Sequence, residues 1–360
     1  MTLPVAVRCW ELRTVGEPLV RAERTIDEVP PGRVVVRVAG CGVCHTDLGY
    51  ALDGVRPRHE LPLTLGHEIA GVVEHAEGAH ADLVGKSVLV PAVIPCGDCA
   101  LCASGHGMIC RAQIFPGCDV HGGFASHVVV PASGLCLVDP DKLEASPVDL
   151  PDLAVLGDAV STAYQATVKA DLAEGDFAII VGAGGVGSFL AQIAAAKGAH
   201  VVALDVDEQR LRRAAEYGAN HTVTLGELDP RAVRKQLRAY AKEHALPETC
   251  WKIFECSGNA KGQEMAYALL TFGAVLAVVG YTLDTVTVRL SNLMAFDARA
   301  QGVWGCLPEH YPAVLDLVLS GKVQVMPFIE RRPMSEINAV FTALSKHELT
   351  NRPVLVPDFE

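Results

Sequence analysis

The spacing of apolar residues divides the chain into two parts with different textures. Over about the first 150 residues, short β-branched runs are separated by glycine and proline, which is typical of strands joined by long loops. The clearest of these runs are GRVVVRVAG, EIAGVVEHA, GKSVLVPAV and ASHVVVP. This part is therefore predicted to be an all-β domain.

From about Asp158 the pattern changes to strands that alternate with helices of 10–15 residues, which predicts βαβ units and a parallel sheet. The predicted strands are DFAIIVGAG, HVVALDVD, HTVTL, CWKIFECSG and AVLAVVGY, and the predicted helices are YQATVKADL, GVGSFLAQIAAAKGA, EQRLRRAAEYGA, AVRKQLRAYAKEHA and QEMAYALLTFG. After Trp304 the pattern is mixed, with helices at YPAVLDLVLSG and SEINAVFTALSKH and a closing strand at RPVLVP. The fold class is thus α/β, with a doubly wound parallel sheet beside a β-rich domain.

Composition narrows the function classes. The chain has 360 residues, 50% of them hydrophobic, and a formal charge of −12. An acidic surface repels phosphate backbones, so no nucleic-acid partner is expected. No apolar run reaches the ~18 residues of a membrane span. The N-terminus MTLPVAVRCW lacks the basic and apolar segments of a secretory signal, and a secreted chain whose signal was removed is the alternative that this argument leaves open.

Four cysteines fall within the fifteen residues CGDCALCASGHGMIC, and they are Cys96, Cys99, Cys102 and Cys110. Twelve cysteines in a chain without an export signal indicate a reducing compartment, the cytoplasm, where clustered cysteines are more often metal ligands than disulfides. Four thiolates suit tetrahedral Zn²⁺ and leave no open position for chemistry. A structural zinc lobe is therefore predicted over about residues 95–111; free thiols or a redox pair are the alternatives.

A glycine-rich turn follows the strand DFAIIVGAG and opens a helix. Its G-x-G-x-x-G pattern and the two residues inside it are Gly182, Gly184, Gly185, Val186 and Gly187. In this context the glycines allow a tight turn, close approach of a pyrophosphate and close helix packing, and the helix N-terminus offers N–H groups to phosphates. The turn predicts a dinucleotide site; a glycine-rich turn without a ligand is the alternative.

Two charged residues bear on which dinucleotide is bound. Asp205 ends the next strand, where it can accept hydrogen bonds from a ribose diol and repel a 2′-phosphate, which favours NAD over NADP. Arg210 weakens this preference, because an arginine can accept a 2′-phosphate.

A second metal site is indicated by AGCGVCHTD and LTLGHEIAG, which place Cys44, His67 and Glu68 in the β-rich domain, with Asp158 at its junction with the next. A thiolate, an imidazole and a carboxylate hold Zn²⁺ with one position open for substrate. By residue type alone, a lone cysteine and a distant histidine are more often core residues than ligands.

The whole chain resembles the zinc-dependent medium-chain alcohol dehydrogenases. The matching segments, in the family's order, are GCGVCHTD, GHEIAGVV, the four-cysteine segment, GGFASHVVVP, VGAGGVG and RPVLV. The resemblance implies a GroES-like catalytic domain over residues 1–156 and 304–360 and a Rossmann NAD-binding domain over 157–303. It also implies two zinc ions per subunit, one catalytic and one structural, and hydride transfer from an alcohol to NAD.

The resemblance assigns roles to individual residues by their position in the matching segments. Cys44 and His67 match zinc ligands, and Asp158 stands where many members have cysteine and others aspartate, so it is expected to be the third ligand. Glu68 is expected beside the metal, where it can exchange with water. These four residues are the predicted catalytic metal centre.

The proton path is less complete. Thr46 matches the hydroxyl residue that takes the substrate proton. His45, also counted among the catalytic residues, and Arg352 both align with groups near the cofactor pyrophosphate. Gly49 occupies the position of a histidine relay in some members, so His59 or solvent is expected to complete the path.

Further stretches resemble one subgroup of the family, which oxidises 6-hydroxycyclohex-1-ene-1-carbonyl-CoA to the 6-oxo product in anaerobic benzoyl-CoA degradation. They are CHTDLGYALDGVRPRHELPLTLGHEIAG, FPGCDVHGGFASHVVVPA, WKIFECSGNAKGQE and VRLSNLMAFDARAQGVWGCLPEHYP. Cations for the CoA phosphates are then expected at Arg56, Arg58 and His59, although an ordinary solvated basic turn fits these residues equally well.

Other functions remain open at this point. The runner-up is a secondary-alcohol or polyol dehydrogenase acting on a substrate without CoA. A non-enzymatic NAD(H)-binding protein, or a zinc-lobe interaction module or thiol redox sensor, ranks below an enzyme. The resemblance also implies a homodimer or homotetramer, with an edge strand for pairing between subunits in AVLAVVGYTLDTVTVRL, residues 274–290.

Overall fold

A computed structural model describes residues 3–226 and 228–359. The strands in this part of the chain are β1 (Val5–Glu11), β2 (Val20–Ile26), β3 (Arg33–Gly42), β4 (Glu68–Ala76), β5 (Ser87–Val90), β6 (His127–Pro131), β7 (Cys136–Leu137), β8 (Phe177–Val181), β9 (His200–Asp205), β10 (His221–Thr224), β11 (Lys252–Glu255), β12 (Val275–Val278), β13 (Arg299–Gly302), β14 (Ile329–Pro333) and β15 (Arg352–Val356).

The helices are α1 (His45–Ala51), α2 (Ala100–Ala103), α3 (Pro140–Glu144), α4 (Ala159–Lys169), α5 (Gly185–Ala196), α6 (Glu208–Glu216), α7 (Pro230–Glu243), α8 (Ala260–Ala268), α9 (Ser291–Phe296), α10 (Tyr311–Leu319) and α11 (Ile337–Ser345). A 3₁₀ helix over Leu150–Gly157 directly precedes Asp158. No helix in the described residues is both long and apolar enough to cross a membrane.

The chain divides into two compact units. The first comprises Met1–Ser161, Gly305–Gly321 and Val325–Glu360, and the second comprises Thr162–Trp304 with Lys322–Gln324. The sequence placed the boundaries a few residues earlier, after residues 156 and 303. The short segment 322–324 joins the second unit because the Gln192 side chain accepts from Gln324 N (2.7 Å) and donates to Gln324 O (3.2 Å).

The first unit is built on a sheet of order β14-β15-β3-β4-β5-β7, with β6 also paired to β3. Strand β3 lies inside this sheet and its Val34, Val35 and Val36 are all fully buried, because both faces of the strand are covered. A separate antiparallel hairpin joins β1 to β2. The polar sequence VRAERTI of β2 gave no strand prediction, because its exposed positions carry charges.

The second unit is a six-stranded sheet of order β10-β9-β8-β11-β12-β13, with parallel pairing throughout. Strand β8 is buried at all five positions, as expected for the centre of a sheet covered by helices on both faces. Trp251, just before β11, is fully buried in the core. The predicted combination of a β-rich part and a parallel-sheet part is confirmed.

The predicted edge strand over residues 274–290 is wrong in its position. Only Val275–Val278 forms a strand, and this strand lies inside the sheet between β11 and β13. Residues 279–290 have strand-like alternation but form no strand within this single chain, and their pairing with a second subunit stays a prediction. The edges of the sheet are β10 and β13, and the sequence RAQG of β13 carries no apolar pattern.

Candidate active site

The four-cysteine lobe brings its thiols together. The Sγ–Sγ distances are 3.4 Å for Cys96–Cys110, 3.5 Å for Cys99–Cys102, 3.7 Å for Cys99–Cys110 and 3.9 Å for Cys96–Cys102. A disulfide requires about 2.05 Å between the sulfurs. Four sulfurs around a tetrahedral zinc ion, each about 2.3 Å from the metal, are separated by about 3.8 Å. The lobe therefore has the geometry of a closed, structural zinc site.

The thiols of this lobe hold their protons unequally. A backbone N–H of Cys102 stabilises the thiolate of Cys99 and lowers its pKa to about 7. A hydrogen bond involving Asp98 raises the pKa of Cys96 to about 12. Because zinc binds thiolates, occupation of this site must release protons, and zinc affinity falls as the pH falls.

The second donor set lies in the first unit and is assembled from three segments. Cys44 precedes α1, His67 and Glu68 stand at the start of β4, and Asp158 follows the 3₁₀ helix Leu150–Gly157. One donor atom from each residue lies within 4.8 Å of the others. His67 and Glu68 are buried, whereas Cys44 and Asp158 are half-buried.

Among the described residues, neither ring nitrogen of His67 has a hydrogen-bond partner, although both are buried. Nδ1 lies 3.3 Å from Asp47 Oδ1 without an aligned hydrogen bond, and Nε2 lies 3.6 Å from Asp158 Oδ2. Burial by itself lowers the pKa of His67, but the carboxylates of Asp47 and Asp158 outweigh it and raise that pKa. Orphaned nitrogens inside an anionic cluster fit a bound cation, and a thiolate, imidazole and carboxylate set suits zinc.

Glu68 is engaged by a cation of the chain itself. Arg352 donates from Nε to Glu68 Oε2 (2.8 Å) and from Nη2 to Oε1 (2.6 Å), and Ala159 N also donates to Oε1 (3.2 Å). Burial raises the pKa of Glu68, and Arg352 partly offsets this. Gly42 leaves the space this carboxylate occupies, since a Cβ there would lie 2.0 Å from Oε2.

The backbone carbonyl groups of Gly157 and Asp158 are held by Tyr311 and Ser161. Tyr311 donates from its hydroxyl group to Gly157 O (2.6 Å), and Ser161 Oγ donates to Tyr311 (3.2 Å) and to Asp158 O (3.1 Å). These bonds fix the backbone on both sides of Asp158, so its carboxylate is presented to His67 from a rigid turn.

The residues predicted for the proton path have separate surroundings. Thr46 Oγ1 lies 3.7 Å from Cys44 Sγ, which places the hydroxyl beside the donor set. His45 is exposed and stacks on His347 at 6.0 Å between ring centres. His59 lies against Glu60 O (Nδ1 at 2.5 Å) and the His121 ring (4.8 Å), and no bond between His59 and Thr46 occurs in the described residues. Its relay role stays a prediction.

The glycine turn lies in the second unit, between β8 and α5. Gly187 must lack a side chain, since a Cβ there would lie 1.9 Å from Gly182 O. Gly184 precedes α5 without any side-chain cap, and Gly185 is exposed, so the first N–H groups of α5 remain available to an anion. The turn thus offers the geometry of a pyrophosphate cradle.

Asp205 and Arg210 both lie at this turn. Asp205 is 5% exposed, and its two oxygens accept from Ala183 N (2.7 Å) and Asp207 N (3.0 Å). A Cβ built on Gly184 would lie 3.6 Å from Arg210 Nη1, so this guanidinium reaches across the turn. Arg210 Nε is also 3.7 Å from Asp207 Oδ2. Both residues are therefore placed to contact a dinucleotide.

The basic turn at residues 56–59 offers fewer free cations than its sequence indicates. Arg58 Nε lies 2.5 Å from Asp119 Oδ1, so its charge is neutralised. Arg56 is exposed, and no carboxylate of a described residue lies within ion-pair distance of it.

Two residues of the metal site were missed by sequence reasoning. Asp47 is 1% exposed, and besides facing His67 it accepts from Cys44 N (2.9 Å) and Gly66 N (3.1 Å). Phe115 stacks on the His67 ring at 5.1 Å between centres. The acidic residue three positions after Cys44 is a local signal for Asp47, whereas nothing in the sequence connects Phe115 to His67.

Comparisons with known proteins agree with this geometry. Residues 30–140 match the family described as "Alcohol dehydrogenase GroES-like domain", and residues 185–320 match "Zinc-binding dehydrogenase". An alcohol dehydrogenase of Geobacillus stearothermophilus is 31% identical over 328 residues, 90% of this chain and 91% of that protein. An L-threonine 3-dehydrogenase of Bacillus subtilis is 28% identical over 346 residues, 94% and 95% of the two chains. The crystal structure of the alcohol dehydrogenase from Aeropyrum pernix superposes with a TM-score of 0.84 at 28% identity, covering 97% and 100%.

Fold and site together define an oxidoreductase that uses zinc and a dinucleotide. The chain belongs to the zinc-dependent medium-chain alcohol dehydrogenase family. Its two units are accordingly a GroES-like domain and a Rossmann domain, and the predictions of an enzyme acting on an alcohol and of zinc and a nicotinamide dinucleotide as cofactors are confirmed.

The structural zinc lobe can be tested by removing one thiol. We expect Cys96→Ser to lower the zinc content from two ions to one per chain and to destabilise the first unit, because three thiolates hold zinc more weakly than four. Metal analysis by inductively coupled plasma mass spectrometry and thermal unfolding measure both effects. Cys250→Ser, at an exposed cysteine outside both donor sets, is the control. Two zinc ions retained by Cys96→Ser would contradict the assignment.

Proposed function

We propose that this enzyme oxidises a secondary alcohol to a ketone with NAD as the hydride acceptor. The observation that carries the proposal is the anionic cluster of Cys44, His67 and Asp158, whose buried imidazole nitrogens lack hydrogen-bond partners. The names of the relatives, alcohol dehydrogenase and L-threonine 3-dehydrogenase, support a hydroxyl group as the reacting group.

When bound, zinc supplies a Lewis acid for the hydroxyl oxygen and the dinucleotide supplies the hydride acceptor. Cys44, His67 and Asp158 would hold the metal, and Asp47 would orient the His67 ring from its other side. Thr46 would take the hydroxyl proton and release it to solvent, directly or through His59. The substrate loses one proton and one hydride, so the products are a ketone, the reduced dinucleotide and a proton.

Glu68 and Arg352 act as a pair in this proposal. Both oxygens of Glu68 are bound by Arg352, so Glu68 is a fixed charge behind the donor set rather than a free base. Any exchange of Glu68 with water at the metal requires these two bonds to break. Arg352 would approach the pyrophosphate only with its remaining guanidinium donors.

The catalytic metal centre is tested by Cys44→Ser. Turnover should fall by roughly 10³-fold or more, because several kcal/mol of transition-state stabilisation are lost with the metal. Zinc content should fall by one ion per chain, while NADH affinity, measured by isothermal titration calorimetry, should stay within about twofold. The exposed-site variant Cys250→Ser should keep wild-type turnover. Full activity in Cys44→Ser would sink the proposal.

For the dinucleotide, we propose NAD over NADP. The buried carboxylate of Asp205 lies at the end of β9 beside the glycine turn, where a 2′-phosphate would meet its charge. Arg210 opposes this preference, since its guanidinium crosses the same turn. The carboxylate is expected to dominate because it is buried, whereas Arg210 already shares its charge with Asp207.

Asp205→Asn removes the negative charge of this side chain and changes little else, because the amide oxygen still accepts one of the two backbone hydrogen bonds. The ratio of kcat/KM for NAD to kcat/KM for NADP should fall by about tenfold, which corresponds to one charge-assisted hydrogen bond and the lost repulsion. Steady-state kinetics with both dinucleotides measure it. Asp139→Asn, which removes a charge but keeps the N-cap of α3 in the first unit, serves as the control. An unchanged ratio in Asp205→Asn would remove Asp205 as the determinant.

For the substrate, we propose the cyclic acyl-CoA ester 6-hydroxycyclohex-1-ene-1-carbonyl-CoA, with a secondary alcohol or polyol without CoA as the second candidate. Similarity over several stretches, which extend beyond the metal and dinucleotide motifs, supports the ester, and Arg56 offers one exposed cation for its phosphates. The names of these relatives favour the second candidate, since they mention an alcohol and L-threonine and no CoA ester.

An assay of the CoA ester against simple cyclic alcohols separates the two candidates. If the ester is the substrate, its kcat/KM should exceed that of the alcohols, and Arg56→Gln should raise the KM of the ester by about fivefold through one lost ion pair. Arg212→Gln, at another exposed arginine, should leave that KM unchanged. Turnover of simple alcohols alone would discard the ester and keep the enzyme class.

We also propose a homodimer or homotetramer in the cytoplasm. The edge strand β13 has an open side in this chain, and nearby apolar side chains are exposed: Tyr281, Leu283, Leu290, Met294 and Trp304. Strand β13 of a second subunit is a suitable partner for this edge. The molecular mass of the protein in solution decides between a dimer and a tetramer. All twelve cysteines are free thiols, which suits a reducing compartment.

A further inference from the structure

Helix α7 of the second unit carries five cations outside the residues assigned so far. At about 100° per residue they fall within one side of the helix, and they are Arg231, Arg234, Lys235, Arg238 and Lys242. No carboxylate of a described residue lies within 4 Å of their side-chain nitrogens. The chain as a whole has a formal charge of −12, so an uncompensated group of cations is unexpected here.

Two of these cations line a cavity of about 450 Å³. Its walls are Asp229, Pro230, Arg231, Arg234, Ala268 and Asn292. Arg234 Nε is buried without a hydrogen-bond partner, and the guanidinium carbon lies 6.0 Å from the centre of the Phe296 ring. A buried donor left unpaired costs about 1–3 kcal/mol, so a ligand that accepts from Arg234 would recover that cost.

The electrostatics of the cavity are positive. Burial lowers the pKa of Arg234, and the charges of Arg238 and Arg231 lower it further. Asp229 is the one carboxylate among the lining residues, and its Oδ1 already accepts from Arg231 N (2.7 Å) and Ala232 N (3.1 Å) at the start of α7. The partial positive charge at the start of α7 thus partly offsets the negative charge of Asp229. The positive charges of Arg231 and Arg234 are not offset in this way.

We propose that this cavity binds a small phosphate-bearing anion. The planar guanidinium groups of Arg231 and Arg234 match phosphate oxygens in a bidentate manner, and the Asn292 amide can donate a further hydrogen bond. Pro230 and Ala268 supply an apolar wall for the organic part of such a ligand. The site belongs to the second unit alone and does not depend on the proposed substrate.

The test uses the zinc-loaded enzyme saturated with NADH, so that the glycine turn is already occupied. Inorganic phosphate and AMP are titrated separately by isothermal titration calorimetry at constant ionic strength. At least one probe should bind saturably, and the double variant Arg231→Gln, Arg234→Gln should weaken it by about tenfold or more. Arg212→Gln should bind like the wild type. Comparison of the probes shows whether the site takes the free ion or requires an organic phosphate.

Several results would overturn the proposal. These are no saturable heat for either probe up to about 10 mM, equal affinity in the double variant, and binding that occurs only without NADH. Because Arg234 is partly buried, the single variant Arg231→Gln, at an exposed position, repeats the test with less risk to folding. Unchanged NADH affinity and unfolding temperature in each variant show that the second unit remains intact.

Discussion

The buried ion pair between Glu68 and Arg352 is the interaction on which the metal site depends. Cys44, Asp47, Glu68 and Asp158 crowd anionic groups around one imidazole, and Arg352 is the fixed cation bound among them. Leaving the Glu68 charge unpaired in such surroundings costs about 3–5 kcal/mol. Arg352 neutralises the charge of Glu68. The other donors around His67, Cys44 and Asp158, are then left to bind a divalent cation.

Sequence patterns predicted the parts of this protein that are set by neighbours along the chain. The glycine turn and the buried strand β8 were predictable because strand, turn and helix signals are contiguous. The four-cysteine lobe was equally local. By contrast, Glu68 and Arg352 are separated by 284 positions, so their pairing depends on β15 lying beside β3. The edge strand was misplaced for a related reason, since pairing order is a property of the whole sheet.

For the charged residues, too, the sequence gives only the residue type, whereas the structure gives its partner and its burial. Arg56 and Arg58 look equivalent in GVRPRHE, yet only Arg58 has an acidic partner, Asp119, sixty-one positions further on. Asp205 and Arg210 gave opposing indications about the dinucleotide. The proposal for NAD ranks Asp205 first, because a buried carboxylate is screened less by solvent than a half-exposed guanidinium. Charge partners and burial are therefore the observations on which the proposals for these residues rest.

The discontinuous path of the first unit has a consequence for biosynthesis. Nearly all of the Rossmann domain is one uninterrupted stretch, Thr162–Trp304, so it can become compact on the ribosome before translation ends. The GroES-like domain cannot complete its sheet until β15 is synthesised, because Arg352 follows Glu68 by 284 positions. At about 5–20 residues per second, the 284 positions between Glu68 and Arg352 take about 14–57 seconds to synthesise, and Glu68 stays unmatched for that time. During that interval the nascent chain is most exposed to misfolding and to chaperones.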